Sequence, residues 1–266
     1  MTTYFDAHSH LQEYASTREL DAALEAAKAT GVKTVLCNGT SPGDWARVAE
    51  LAAAAPGVIV PFFGLHPWFI KEGPPGWLEG LEGFLTGLPS GVGEIGLDGG
   101  KNGTDMARQE GVFRAQLGLA KKLGRPACIH CVKAWGRMLE ILKEDRPGPF
   151  MLHSYGGPAE MVPALAELGG YFSFSGAILD PKREKLRRAL LATPPERLLF
   201  ETESPEPDAP GWRAGPAGIL EVTAAGAALL GRTAEEAAAL SRENGLRFLG
   251  GLTAPAAETP PAQQPG

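Results

Sequence analysis

Cysteine is scarce in this chain: Cys37, Cys128 and Cys131 are the only three among 266 residues. That is too few for a disulfide framework and suits a reducing compartment. Cys128 and Cys131 have the spacing of a CxxC zinc or redox motif, but on a strand these two positions have opposite parity and face opposite sides. Basic charge is in deficit too, and the formal net charge of −6 argues against a protein that coats duplex DNA through a broad basic surface. Nucleic acid gripped locally by metals and a few basic groups stays open. No apolar run reaches the roughly 18 residues of a membrane span, and the first strand starts at once, without the basic region and apolar core of a signal peptide. A cytoplasmic protein with no membrane contact is expected, and no obligate protein partner is evident. A glycine-rich GxGxxG turn is also missing after the first strand, where a dinucleotide site would put it.

What the chain does have is a regular alternation of short apolar strands and amphipathic helices. Strands are predicted at 4–10, 32–37, 58–65, 92–97, 126–130, 150–153, 171–174 and 198–203. Helices are predicted at 17–30, 41–55, around 77–85, 105–124, 134–143, 159–168, 181–191, 217–230 and 234–249, with Asp105 as a cap and a possible break at Gly226. Strands that each feed a helix point to a closed parallel (β/α)₈ TIM barrel, because a parallel sheet must be covered on its outer face; an open doubly wound sheet is the alternative, and the missing GxGxxG turn counts against it. A single barrel domain is expected over residues 1–252, followed by a disordered tail over 253–266 that is almost entirely Pro, Ala, Gln and Gly.

In such a barrel the chemistry sits at the C-terminal ends of the strands, and all five histidines fall there: His8 and His10 on strand one, His66 after strand three, His130 on five and His153 on six. His8 and His10 are two residues apart, so one strand face presents both imidazoles. Glu94, Glu201 and Glu203 join them at the same rim. Histidines placed only for packing would scatter onto helices and surfaces, so the set points to a metal site.

The ordered runs DAHSH, GLHPW, GEIGLD, PACIHC, LHSYGG and ETESP resemble the signature blocks of the TatD family of metal-dependent hydrolases, within the amidohydrolase-like barrels. Helical stretches at 108–123 and 241–248 are similar to that family's less specific segments, and the likeness covers about residues 4–250. The resemblance implies two divalent metals: His8 and His10 on the first, His130 and His153 on the second, Glu94 bridging both. In the family's last block an Asp stands where this chain has Glu203, serving as ligand and proton acceptor. Glu203 sets its carboxylate about 1.5 Å further from the backbone. Asp208 is a further acid that could reach back, and Glu201 is either a ligand or an acceptor that orients its neighbours.

Mixed imidazole and carboxylate donors suit Zn, Mn or Fe better than Mg or Ca, although a site completed by water can take Mg. Two such ions polarise a phosphoryl oxygen and generate hydroxide near neutral pH. Glu203 is then the candidate general base. His66 is a phosphate contact, a proton donor or a packing residue. Lys133, Arg137, Lys182 and Arg183 are basic candidates for an anionic substrate or simply solvated helix faces. Trp68 could stack on a base or cover the barrel mouth, and Asp98 anchors its loop. The expected activity is that of a phosphodiesterase, a 3'-5' exonuclease-like deoxyribonuclease acting on single-stranded DNA ends. The alternatives are hydrolysis of an ester, amide or lactone by the same metal-activated water, and a non-catalytic metal-binding relative that lost activity with the Asp-to-Glu change.

Overall fold

A computed structural model describes residues 2–100, 105–205 and 215–252; the tail over 253–266 and Asp208 lie outside the described residues. The strands are β1 (Tyr4–Ser9), β2 (Val32–Asn38), β3 (Ile59–Phe63), β4 (Gly91–Asp98), β5 (Ala127–Val132), β6 (Phe150–Leu152), β7 (Gly170–Phe174) and β8 (Leu198–Phe200). They form one eight-stranded sheet in sequence order, and every pair is parallel. The last seam closes through a Ser9–Ser204 bridge, with His10 N–H donating to Ser204 O at 2.6 Å and Glu203 N–H donating to His8 O at 2.9 Å. The result is a (β/α)₈ barrel.

Around it run α1 (Thr17–Ala29), α2 (Trp45–Ala54), α3 (Trp77–Gly87), α4 (Met106–Leu123), α5 (Trp135–Asp145), α6 (Val162–Glu167), α7 (Glu184–Ala192), α8 (Ile219–Leu230) and α9 (Ala234–Leu249). Two apolar groups result. One, including Leu36, Phe62, Cys128, Met151 and Leu199, fills the barrel and is closed from below by Phe248 of α9. The larger lies between strands and helices and takes the alternate strand positions, such as Val35, Phe63, Ile129 and Phe200. Cys128 is in the first group and Cys131 in the second, as opposite parity requires.

Several sequence expectations shift for local reasons. The helix expected from Ser41 and Pro42 starts at Trp45, because the Asp44 carboxylate accepts from Thr40 N–H at 2.8 Å and Thr40 Oγ1 at 2.9 Å and folds 40–44 into a turn. The helix expected from Pro181 starts at Glu184, since Asp180 accepts from Lys182 N–H at 2.9 Å in a similar turn. Asp105 stands at the N-cap position of α4 without a side-chain capping bond. The regular strand β8 ends at Phe200, short of the expected Glu203, and single backbone bonds from Glu201 and Glu203 carry the seam on to Ser204.

Gly226 does not break α8. A Cβ there would lie 2.3 Å from the Phe200 ring, so this glycine lets α8 approach β8 closely. Gly226→Ala is expected to destabilise the protein by about 1–3 kcal/mol through overpacking, read as a lower midpoint in urea unfolding. An unchanged midpoint would mean that the ring moves freely. Behind the same strand, Ser241 Oγ accepts from Phe200 N–H at 3.1 Å, and Asn244 Nδ2 donates to Pro195 O and Leu198 O at 2.7 and 2.8 Å. These bonds tie α9 to the strand that delivers Glu201 and Glu203.

Candidate metal centre

Strict alternation along β1 would send His8 and His10 out of the barrel, because Phe5 and Ala7 point into it. A register shift between Asp6 and Ser9 prevents this: three steps along β1 match two along β2. Past the bulge, His8 and His10 face the mouth. The irregularity recurs in β4 between Val92 and Ile95 and turns Glu94 inward. A Cβ on Gly93 would meet Cys128 Cβ at 2.7 Å, so the crowded position beside Glu94 suits glycine. His130 and His153 follow Cys128 and Met151 by two residues and share their inward face by ordinary strand parity.

Glu94 is the centre of the arrangement and is 2 % exposed. Its Oε2 lies 3.3 Å from both His8 Nε2 and His10 Nε2. Its Oε1 lies 3.0 Å from His130 Nδ1, 2.9 Å from His153 Nε2 and 3.2 Å from His66 Nε2. All five histidines of the chain therefore converge on one carboxylate. Glu203 faces them from the last seam, with Oε1 3.8 and 3.9 Å from His8 and His10 Nε2 and Oε2 3.3 Å from His153 Nδ1. It adopts a left-handed backbone conformation, φ +60°, which carries its longer side chain over the mouth.

The far nitrogens of the imidazoles decide what the near ones offer. His10 Nδ1 lies 2.9 Å from the Asn38 carbonyl oxygen; a carbonyl only accepts, so Nδ1 carries the proton and Nε2 presents a lone pair when the ring is neutral. His130 Nε2 lies 3.3 Å from Asp98 Oδ2, and the same logic frees its Nδ1. His66 is the reverse. Its Nδ1 accepts the Trp68 backbone N–H at 3.1 Å, so its Nε2 is an N–H aimed at Glu94. His66, Glu94 and His130 are close enough together to share an ion, yet this tautomer makes His66 a donor rather than a metal ligand.

Burial pushes the His8 pKa down to about 4, the positive charge of His153 working the same way. His66 is lowered, also chiefly by burial. Burial opposes protonation of His10 as well, but the Glu94 carboxylate lifts it to about 9. His153 is held well above its ordinary value by Glu94 and Glu203 against its burial. Glu203 is depressed below the carboxylate range by His8 and His153, again against burial. Burial, reinforced by the Glu203 charge, pushes Glu201 up to about 8. Asp98 is lowered to about 2 by its hydrogen bond from His130.

Without a cation, His10, His130 and His153 are driven toward the protonated form by the buried carboxylates. The donor set fits divalent metal better. His8 and His10 Nε2 are 3.0 Å apart beside carboxylate oxygens, and the buried His153 Nδ1 lies 3.3 Å from Glu203 Oε2 and 3.7 Å from Glu201 Oε1 without a well-aligned hydrogen bond to either. Compact donor groups are His8–Glu94–His153, His8–His10–Glu203 and His153–Glu201–Glu203. Glu201 also accepts from Ser173 Oγ.

The surrounding residues include three that the sequence did not single out for these roles. Cys128 Sγ lies 3.2 Å from His8 Nδ1, and the Asn38 carbonyl orients His10. Asp6 accepts from Thr202 N–H and Oγ1 at 2.8 and 2.5 Å and from Ser9 Oγ at 2.9 Å, pinning β1 to the segment carrying Glu203. A backbone carbonyl has no sequence signature, and Asp6 and Thr202 are too far apart in the chain to be paired by eye. Asp98 anchors its loop through Gly100 N–H at 2.6 Å and also holds the Trp68 indole N–H at 2.5 Å. Trp68, 44 % exposed, stands at the mouth of a cavity of about 410 Å³ that contains Glu94, His130 and Glu203. Arg137 is taken up by Glu110 and Glu140, as a solvated helix-face charge.

A family described as TatD related DNase matches residues 5–250. The 3'-5' ssDNA/RNA exonuclease TatD of Edwardsiella piscicida is 35 % identical over 184 residues, covering 67 % of this chain and 70 % of that protein. Its namesake in Klebsiella pneumoniae is 33 % identical over 207 residues, covering 76 % and 78 %. Among solved structures, the TatD homologue YjjV of Escherichia coli superposes with a TM-score of 0.85 at 26 % identity, covering 92 % of this chain and 97 % of that one.

Proposed function

From the premise that the chain belongs to the TatD-related DNase family of metal-dependent hydrolases, we propose that it is a divalent-metal-dependent phosphodiesterase. Its substrate in this reading is single-stranded nucleic acid, degraded from an end as the names of its relatives describe for them. The activity is assigned to one barrel domain over residues 1–252. The observation that carries the reading is the division of Glu94: one oxygen faces His8 and His10, the other faces His130 and His153.

His8, His10 and Glu203 would hold one ion, His130 and His153 a second, and Glu94 both, with Zn or Mn favoured over Mg by the imidazole donors. When bound, two such ions supply Lewis acidity toward a phosphoryl oxygen and make an adjacent water a nucleophile near neutral pH. The carboxylate of Glu203, kept ionised beside His153, accepts the proton of the attacking water. The Nε2–H of His66, 3.2 Å from Glu94 Oε1, orients that carboxylate between the two histidine pairs. Trp68 gives the terminal base an aromatic face, and Asp98 keeps Nδ1 of His130 free by holding its other nitrogen. Asp98→Asn is therefore expected to weaken metal retention about 10–100-fold, measured by titration with a competing chelator.

The test pairs elemental analysis of gently purified protein with nucleotide release from a labelled single-stranded oligonucleotide under added Mn, Zn or Mg. About two metals per chain and metal-dependent release are expected. Metal without release of nucleotides, together with turnover of an aryl ester, would move the assignment to ester or lactone hydrolysis.

A further inference from the structure

The barrel mouth is not evenly charged around its rim. Five of the seven residues from Lys182 to Arg188 are Lys or Arg, a fifth of the 25 in an acidic chain. Ser154, the residue after His153, lines the metal cavity and also a second groove of about 520 Å³ walled by Lys182, Arg183 and Lys185. That groove shares Gly156 and Lys185 with a third, of about 390 Å³, which ends at Arg188 and Trp135. A trench therefore leads from the metal cavity past Ser154 and along the start of α7. Its walls carry four cationic side chains against two carboxylates, Glu160 and Glu184.

Arg114, Lys122 and Arg137 on other helices are tied to carboxylates. Among the described residues, Lys182, Lys185 and Arg188 make no such pair, and all three are exposed. Arg183 makes only a loose contact with Asp180, at 3.9 Å. The cavity rim also holds Glu13, which repels a phosphate chain. One direction of exit from the metal cavity is thus acidic at its edge and the other is basic.

We propose that this trench is the track for the phosphodiester backbone of the substrate strand, with Lys182, Lys185 and Arg188 holding the phosphates that follow the scissile one. The proposal rests on the phosphodiesterase reading above and deepens it, since it separates recognition of a strand from chemistry on a single ester. Each lysine or arginine that neutralises a phosphate of a single strand contributes about −0.7 to the slope of log affinity against log salt.

The experiment compares the wild type with the triple variant Lys182→Ala/Lys185→Ala/Arg188→Ala on two substrates, a single-stranded dodecathymidylate and bis(p-nitrophenyl) phosphate. Binding of the labelled dodecamer is measured separately by fluorescence anisotropy in chelator, so that no chemistry intervenes. The expected result is dodecamer binding weaker by about 10–100-fold, a salt slope smaller by about two, and kcat/KM for the small diester within about twofold. A Lys182→Gln/Lys185→Gln/Arg188→Gln variant with an unchanged thermal midpoint guards against a folding artefact and should behave alike. Unchanged dodecamer affinity and salt slope in both variants would overturn the track. If the metal-loaded wild type turned over neither diester while its dodecamer affinity still fell in the variants, the phosphodiesterase reading would fail and the strand-binding trench would stand. Equal loss of binding to phosphatidylserine vesicles, with no dodecamer binding in the wild type, would reassign the trench to a membrane surface.

Discussion

Glu94→Gln is expected to abolish retention of divalent metal and to lower phosphodiester turnover by about 10³-fold or more. The geometry makes this the most damaging single change that keeps side-chain shape. Five imidazoles face one carboxylate at 2.9–3.3 Å, and no other acid reaches both His10 and His130 within ion-pair distance among the described residues. An amide keeps the volume but removes the charge, and its NH₂ end turns a donor toward one of the two histidine pairs. Elemental analysis and turnover with added metal read the result. Two metals per chain and activity within about tenfold of wild type would show that Glu94 is a packing residue and the histidines alone make the site.

Glu203→Asp is expected to lower kcat by about 10–100-fold even though it restores the residue that the family resemblance implies at this position. The change withdraws the carboxylate by about 1.5 Å, and misplacement of about 1 Å at a reacting centre costs about 10²-fold. In this chain the Glu203 carboxylate already reaches His153 at 3.3 Å and lies 3.8–3.9 Å from His8 and His10. The longer side chain is therefore accommodated by the surrounding geometry. Stability should move the other way or stay level, because Asp tolerates the left-handed backbone of this position better than Glu does. A thermal midpoint that holds while kcat falls separates positioning from folding. Higher activity and tighter metal in Glu203→Asp would instead mark Glu203 as a poor substitute, and Glu203→Gln, expected to cost about 10²–10⁴-fold, tells whether the proton acceptor is this carboxylate.

The sequence by itself determined the barrel and the set of residues at its mouth. Alternating apolar strands and amphipathic helices leave a parallel barrel as the ready way to bury both faces of every strand, and all five histidines fall at strand ends in that frame. It also determined that Cys128 and Cys131 cannot act together, since parity along one strand is a local property. The tertiary structure alone decided the rest. His8, His10 and Glu94 face inward because of irregularities in β1 and β4, which depend on pairing with neighbouring strands. His66 is a hydrogen-bond donor because its other nitrogen meets the Trp68 N–H, a relation of backbone and ring geometry. Gly226 reads as a helix breaker along the chain and as a contact with Phe200 in the fold. The basic run after β7 reads as a solvated helix face until its groove is seen to open beside Ser154. Residue type and periodicity set which groups could do chemistry, but distances between groups far apart in the chain exist only once the barrel has closed.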